Sequence, residues 1–530
     1  MIGFIFKDLT YSSLAFFLFL FCFLLVYFVI PKNWMKISTI ICGNFFFYIF
    51  ASGIRQLLGM LFTAIGVYFV TIVMDSIYSR AEEVIDSNLS AKKEVEFWKK
   101  YKKKCKIWLY LGIALALVPL LCIKVSGMLG HGTIVSDKMI IPLGVSYYSF
   151  SLIGYLIDTY KRKISIEKNI VVFLAVVTFF PIIVEGPISK IENLCHQFRS
   201  IPKFEYERLC YGMQRVVWGL LKKLVIADRI SPTTTLVFSN IFDYAGIEII
   251  IAIVLAVFSL YADFSGCMDI VIGVAEVMGV ALDENFKQPF FSASVSDFWR
   301  RWHITLFAWF RDYIYIPITQ NSSYKKLNKI VRKKVGKEFG AILVSAIPTF
   351  IVWTITGFWH GTGKDYMLWG GYWFIITMCS QLIKPVNEKM NNLFGFRSDT
   401  LGWNIFRIAR TNLIYSLGGF FIISGSAYGV RGCLYLVRQI LIESRIWELF
   451  NGGIFSHGID KNSFIIIVLA IFMVMFVDYF GSKGINVRVV ISEQPLFFRW
   501  SIWFVLITTV VICGQYGPGY NSAEFVYAGF

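Results

Sequence analysis

The stretch Asp297-Phe298-Trp299-Arg300-Arg301-Trp302-His303-Ile304-Thr305-Leu306-Phe307-Ala308-Trp309-Phe310-Arg311-Asp312-Tyr313-Ile314-Tyr315-Ile316-Pro317 sets one histidine among large aromatics. It is followed, 57 residues after that histidine, by Gly357-Phe358-Trp359-His360-Gly361, so two of the chain's five histidines belong to this region. At about 100° per residue, Phe298, Trp302, Leu306, Trp309 and Tyr313 fall within a sector of about 80°. Arg300 and Arg311 point to the opposite side and His303 sits at the border. The pattern predicts a helix lying along a membrane interface, with aromatics on its dry face and basic residues on its wet one.

The surrounding composition agrees. Hydrophobic residues make up 57% of the chain and charged residues only 16%, well below the roughly 25% of a soluble domain. This predicts an all-α, polytopic integral membrane protein. Apolar runs at about 13–30, 37–53, 56–75, 107–123, 139–157, 168–185, 247–266, 340–357, 366–383, 405–426, 463–480 and 498–513 suggest about 11–13 membrane helices. Several are shorter than the roughly 20 residues of a straight crossing, so tilted and re-entrant segments are included. The first run follows Lys7 and has no small-residue cleavage site after it, which predicts a retained signal anchor. The ten cysteines are scattered singly with no C-x-x-C pair, and read as small core hydrophobes, with no metal site expected.

A net charge of +17 raises nucleic acid as a partner, but Lys and Arg gather between apolar runs, where membrane orientation is the commoner cause. The clusters are 99–106, Lys161-Arg162-Lys163, Lys222-Lys223 and 325–337. Placing them in the cytoplasm predicts a multi-pass cell-membrane protein with both termini extracytoplasmic and no nucleic-acid role. The same basic face can also hold anionic lipid head groups or a phosphate-bearing donor.

Several segments carry polar groups at membrane depth. Ile141-Pro142-Leu143-Gly144-Val145-Ser146-Tyr147-Tyr148 breaks an apolar run with Pro and Gly, predicting a segment that lines an internal space. Glu185-Gly186-Pro187 adds a carboxylate, expected either at the interface or paired inside the bundle. Asp263 and Asp269 flank Ser265-Gly266. They are functional candidates, or else bond neighbouring backbones or the arginines of the 300–311 helix.

His360 lies between a tryptophan and a glycine at the end of a span, where the backbone can open. A histidine of ordinary pKa, near 6.5, can take a proton from a hydroxyl at neutral pH. For His303 two readings stand, a satisfied buried polar residue or a second catalytic group. G-x-S-x-G, H-E-x-x-H, a Walker loop and D-x-D are all missing, which argues against a serine hydrolase, zinc protease, ATPase or metal-dependent sugar transferase. Histidine catalysis on an activated donor remains.

Taken together, Pro142-Leu143-Gly144-Val145-Ser146-Tyr147-Tyr148, Phe180-Pro181, Glu185-Gly186-Pro187-Ile188, Tyr261-Ala262-Asp263-Phe264-Ser265-Gly266, Glu284-Asn285-Phe286, Phe298-Trp299-Arg300-Arg301-Trp302-His303-Ile304, Arg311-Asp312-Tyr313-Ile314-Tyr315-Ile316-Pro317 and Trp359-His360-Gly361 occur in one order. In this the chain resembles the membrane-bound O-acyltransferase family, and within it the bacterial branch of alginate O-acetylation and teichoic-acid D-alanylation membrane subunits. The resemblance runs from about 142 to 371. It implies a funnel-shaped helical core whose outward cavity and inward tunnel meet near a histidine. His360 matches the family's catalytic histidine and His303 its second characteristic one. Trp302, Arg300, Arg311, Asp312, Trp359, Asp263, Ser265 and Asp269 are then expected to line or support the tunnel. Where the alginate-type branch commonly has Ala-Gly-Pro, this chain has Glu185-Gly186-Pro187, so Glu185 has no role by analogy. The ending Glu524-Phe525-Val526-Tyr527-Ala528-Gly529-Phe530 resembles the short aromatic tail of some acylation systems, which makes Tyr527 a candidate acyl carrier, or else part of a tail that packs or binds a partner.

The expected organisation is therefore 1–138, membrane helices and a basic cytoplasmic linker; 139–426, the catalytic core; 427–513, further helices; and 514–530, an extracytoplasmic tail. The expected activity moves a short acyl group, chiefly acetyl, from a cytoplasmic thioester toward an extracytoplasmic polysaccharide. The donor is acyl-CoA or a phosphopantetheine-linked acyl carrier protein, with no bound cofactor. A separate extracytoplasmic acyltransferase of SGNH type or similar is the expected partner. The alternatives are a transporter or channel for the donor or a polymer precursor, and a purely structural assembly subunit.

Overall fold

A computed structural model describes residues 9–85, 91–128, 143–244, 246–394, 400–423, 425–452, 455 and 459–517. Among these residues the chain is helical with no strand, and one isolated antiparallel bridge pairs Phe286 with Trp302. Seven helices are long and apolar enough to cross a membrane: Asn33–Ala51, Ile54–Val84, Lys92–Ser126, Ile247–Val277, Lys337–His360, Lys461–Ser482 and Leu496–Cys513. Leu14–Val29 is apolar but shorter. Phe62 and Phe69 on one of these helices, and Phe472 and Phe476 on another, are exposed, as a lipid solvent permits and water does not. The protein is a multi-pass membrane protein.

The remaining predicted spans take other forms. The run at 366–383 lies within Lys364–Phe394, and that at 405–426 extends beyond the end of Leu401–Ile423; both helices carry polar and charged residues as well. Of the run at 139–157, residues 139–142 lie outside the described residues and helix spans Val145 onward, while the run at 168–185 is helical only over Ile170–Val177. Pro181 disfavours helical geometry just before it.

The chain forms two compact units, Met1–Val216 with Val271–Asp283, and Val217–Ile270 with Glu284–Phe530. The first is built around Phe180, whose ring packs against Phe16, Phe19, Phe23 and Phe47. Ending a helix at membrane depth strands polar backbone groups, and specific side chains satisfy them. Asn44 donates to Ala175 O and Thr178 Oγ1 and accepts from Phe180 N–H, while Tyr11 Oη donates to Phe180 O. Gly144 has φ 68°, and a Cβ there would stand 1.6 Å from Ile183 O, so no other residue fits. The broken segment does line a small internal space, about 20 Å³, with Tyr147, Tyr148, Ile183 and Pro187 among its walls. Glu185 is fully buried.

In the second unit, Tyr206–Leu220 continues through a π-helical turn, Leu221–Ala227, into Asp228–Ser239. The sequence reading placed Lys222-Lys223 among cytoplasmic orientation signals and offered backbones or the arginines near 300 as partners for Asp263 and Asp269. Neither expectation foresaw that these lysines and aspartates pair with each other. Lys222 Nζ donates to Asp269 Oδ2 at 2.7 Å, and Lys223 Nζ donates to Asp263 Oδ1 at 2.6 Å and pairs with Asp228 at 3.0 Å. The close approach has a local cause: a Cβ on Gly219 would lie 2.5 Å from Gly266 O, so only glycine lets these helices cross near enough for the lysines to reach the acids.

Candidate active site: two histidines on an aromatic pocket

The predicted continuous helix over 297–317 is broken at its histidine. Val295–Arg301 begins with Ser294 Oγ accepting from Asp297 N–H and carries Arg300 and Arg301 in its last turn, both favourable to the helix ends. Trp302 is then extended and His303 takes φ 49°, before helix resumes at Ile304–Phe310 and passes through a π-helical turn, Arg311–Tyr315. The physical reason is a tertiary one. The 284–287 segment runs antiparallel to 301–304, with Lys287 N–H donating to Arg301 O at 2.9 Å and Ile304 N–H donating to Asn285 O at 3.0 Å. Left-handed geometry at a non-glycine costs about 1–2 kcal/mol, and those bonds offset it.

The break turns His303 inward. It is only 2% exposed, not at the border that the periodicity placed it on. Phe298, Trp302 and Leu306 are buried as that periodicity required. The ring of His303 has Nδ1 3.3 Å from Asn285 Oδ1, meets Phe264 edge-on at 4.9 Å and lies 5.8 Å from Trp359. Burial holds its pKa well below the usual histidine value, and nearby His360 lowers it further, so the imidazole is neutral at pH 7.

His360 ends Lys337–His360, the chain leaving through an extended Gly361. Its ring lies 4.7 Å from Trp359 and 4.8 Å from Trp369. That approach depends on Lys337–His360 crossing Lys364–Phe394 at Gly357 and Gly370, where an added Cβ would stand 2.6 Å from Tyr366 O and from Trp353 O respectively. Gly357→Val is expected to cost about 1–3 kcal/mol through overpacking. The check is a lower apparent melting temperature in detergent, together with a fall in whatever activity His360 supports.

His303 and His360 face one cavity of about 50 Å³, walled by Trp299, Trp302, Leu306, Phe307, Trp369 and Tyr415 among others. Trp299 Nε1 is buried without a hydrogen-bond partner. The site thus offers two imidazoles and an indole N–H in otherwise apolar surroundings, where proton transfer and carbonyl polarisation are strongest.

Of the other expected site residues, Trp302 is in the cavity wall and Trp359 stands beside both histidines. Arg300 is largely exposed, and Arg311 pairs with its neighbour Asp312 at 2.8 Å. None of the three is in the wall. Asp263 and Asp269 serve the lysine pairs already described, and Ser265 is buried on the same helix. Tyr527 lies outside the described residues. Trp299, Trp369, Tyr415 and Asn285 had no assigned role beforehand. Trp299 and Asn285 stand in motifs quoted above and Trp369 lies near His360 in sequence, whereas Tyr415 joins the site only through packing.

Fold and site define a polytopic helical membrane protein with two buried histidines on an apolar cavity. The chain belongs to the membrane-bound O-acyltransferase family, whose sequence model (MBOAT) matches residues 146–422. It is 31% identical over 314 residues to a probable alginate O-acetylase AlgI of Pseudomonas fluorescens, covering 58% of each chain. It is 30% identical to the peptidoglycan O-acetyltransferase of Helicobacter pylori, over 44% of this chain and 46% of that one. Against the teichoic acid D-alanyltransferase of Bacillus subtilis it is 26% identical, over 54% and 69%. The chain spans about three-fifths of the length of the alginate O-acetylases it matches.

Proposed function

We propose that this protein is an O-acyltransferase that takes a short acyl group, chiefly acetyl, from a cytoplasmic thioester and moves it toward hydroxyls of an extracytoplasmic polysaccharide. The observation that carries this reading is the convergence of His303 and His360 on one cavity of about 50 Å³, room for an acetyl-sized group beside the reacting atoms. The names of the relatives, which acylate alginate, peptidoglycan or teichoic acid, support the acceptor class.

His360 acts as general base. As the acceptor oxygen attacks the thioester carbonyl, the imidazole takes its proton, the C–O bond forms and the carbonyl oxygen becomes an oxyanion. Collapse breaks the C–S bond, and the imidazolium returns the proton to the departing sulfur. The thioester supplies the driving force. In this reading Trp299, a residue of the cavity wall, donates its N–H to the developing oxyanion. Trp299→Phe keeps an aromatic ring and deletes that donor, so kcat is expected to fall by about 10²-fold or more, read from single-turnover transfer with the thioester.

The basic 325–337 segment favours coenzyme A phosphates or an acidic carrier protein as donor. The acceptor is either the polymer-modifying partner, an extracytoplasmic transferase of SGNH type, or Tyr527 as an intermediate carrier. The deciding experiment presents acetyl-[14C] thioester, as coenzyme A or carrier-linked, to the protein in nanodiscs, with mass spectrometry of the tail peptide and polymer acylation measured in cells. Acyl transfer that requires His360 supports the reading. Donor flux across proteoliposomes that survives loss of His360, without transfer, replaces it with transport.

A further inference from the structure

We propose that Asn285 is a positioning residue that holds His303 in the Nδ1-protonated tautomer, leaving its Nε2 lone pair as a proton acceptor for chemistry in the cavity. The second half of this inference rests on the acyl-transfer reading, whereas the first half does not.

The orientation of the Asn285 amide is fixed by its partners. Its Oδ1 accepts from Thr305 N–H at 3.1 Å and from Thr305 Oγ1 at 2.9 Å, and its Nδ2 lies 3.3 Å from Met268 Sδ. A backbone N–H can only donate, so the atom facing it must be the oxygen, and the amide cannot be flipped. That same oxygen stands 3.3 Å from His303 Nδ1. An amide oxygen carries no proton, so a bare Nδ1 would set lone pair against lone pair. The approach is favourable only when Nδ1 carries the hydrogen. In a neutral imidazole the other nitrogen, Nε2, is then the acceptor.

The backbone enforces the arrangement. Asn285 is fully buried, and its carbonyl accepts Ile304 N–H at 3.0 Å. One residue therefore grips both sides of His303 and holds its left-handed φ of 49°. Around the ring, the helix Ile247–Val277 presents Phe264, Lys337–His360 presents Trp359 and His360, and Tyr415 is the remaining titratable group in the cavity wall. With His303 fixed as an acceptor, the two histidines need not do the same work: one can take the hydroxyl proton while the other stays neutral beside it.

The test uses the full-length protein in nanodiscs, labelled with 15N-histidine, and the His303→Gln spectrum to assign the ring. Ring 15N shifts at pH 7 are expected to report a protonated Nδ1 and a bare Nε2 for His303. The opposite tautomer overturns the proposal. In turnover with acetyl thioester, Asn285→Ala is expected to lower kcat about tenfold or more with KM changed far less. Asn285→Asp keeps both the cap and the acceptor, so it should recover most of that loss. Its carboxylate also favours the protonated ring, and the acid limb of the kcat profile should move to higher pH. Recovery with no movement of that limb would mean that Asn285 only caps the helix, which overturns the proposal. Should Asn285→Ala fail to fold, the wild-type spectrum and the Asn285→Asp profile still decide it. If wild type transfers no acyl group, the proposed reaction falls while the tautomer remains readable from the spectrum.

Discussion

Replacing His360 with glutamine is expected to lower acyl transfer by about 10²–10⁴-fold, the range of a lost general base, while the protein still elutes and melts as wild type. Glutamine preserves the polar, planar end of the side chain where the helix Lys337–His360 terminates and where the neighbouring Trp359 and Trp369 pack. What it cannot do is exchange a proton near neutral pH. Because the base acts on the attacking hydroxyl and not on donor binding, the loss should fall on kcat with KM for the thioester little changed. The measurement is single-turnover transfer in nanodiscs across pH 5.5–8.5, a range that brackets the ordinary histidine value of about 6.5. Turnover within a factor of two of wild type would remove His360 from the base role. His303 would then be the remaining imidazole in the cavity.

The sequence was most informative where the cause of structure is local. Apolar run lengths foretold the crossing helices, and of the five residues on the predicted dry face Phe298, Trp302 and Leu306 are buried while Trp309 and Tyr313 are only partly so. Pro and Gly in the 181–187 stretch marked a real end of helix, and Gly144 takes the left-handed position at which Val145–Tyr160 begins. It was least informative where one segment acts on another far away. Nothing around Trp302 announces that 284–287 will pair with it, so the break that turns His303 inward was not visible. A helical wheel assumes an unbroken helix, and it therefore put His303 at a border that does not exist. The cavity has the same character: Trp299, Trp369 and Tyr415 come from three helices and share a wall only after packing. Asn285 stood in a quoted motif, yet its role depends on the orientation of its amide, which Thr305 fixes.

The lysine pair shows how a sound rule selects the wrong residues. Lys next to apolar sequence is usually an orientation signal because the ammonium is costly inside a bilayer. Lys222 and Lys223 escape that rule because Asp269 and Asp263, 47 and 40 residues along the chain, sit on a helix brought close by Gly219 and Gly266, and Lys223 also pairs with Asp228. The spacing itself holds the missed clue. Asp263 and Asp269 are six apart and Lys222 and Lys223 adjacent, which no single regular helix pair matches. The π-helical turn Leu221–Ala227 widens the helix where the two lysines leave it.

Lys223→Met is accordingly expected to be strongly destabilising, by about 3–5 kcal/mol, the cost of leaving buried charge without its partner. The Lys223 side chain is fully buried, with Asp228 and Asp263 almost equally so. Methionine fills similar volume, so the loss comes from electrostatics and not from a cavity. The two carboxylates would then face each other's charge with their shared cation gone. Lys222 does not compensate, because it is engaged by Asp269. The effect should be markedly non-additive. Lys223→Met combined with Asp228→Asn and Asp263→Asn removes the charges together, and should recover a large part of the loss, since replacing a whole buried ionic group is often close to neutral. The check is the apparent melting temperature of the purified protein in one detergent, for the single, double and triple variants at fixed pH and salt. A triple variant no more stable than Lys223→Met would show that the lysine acts through packing, and that the ion cluster does not hold this part of the fold together.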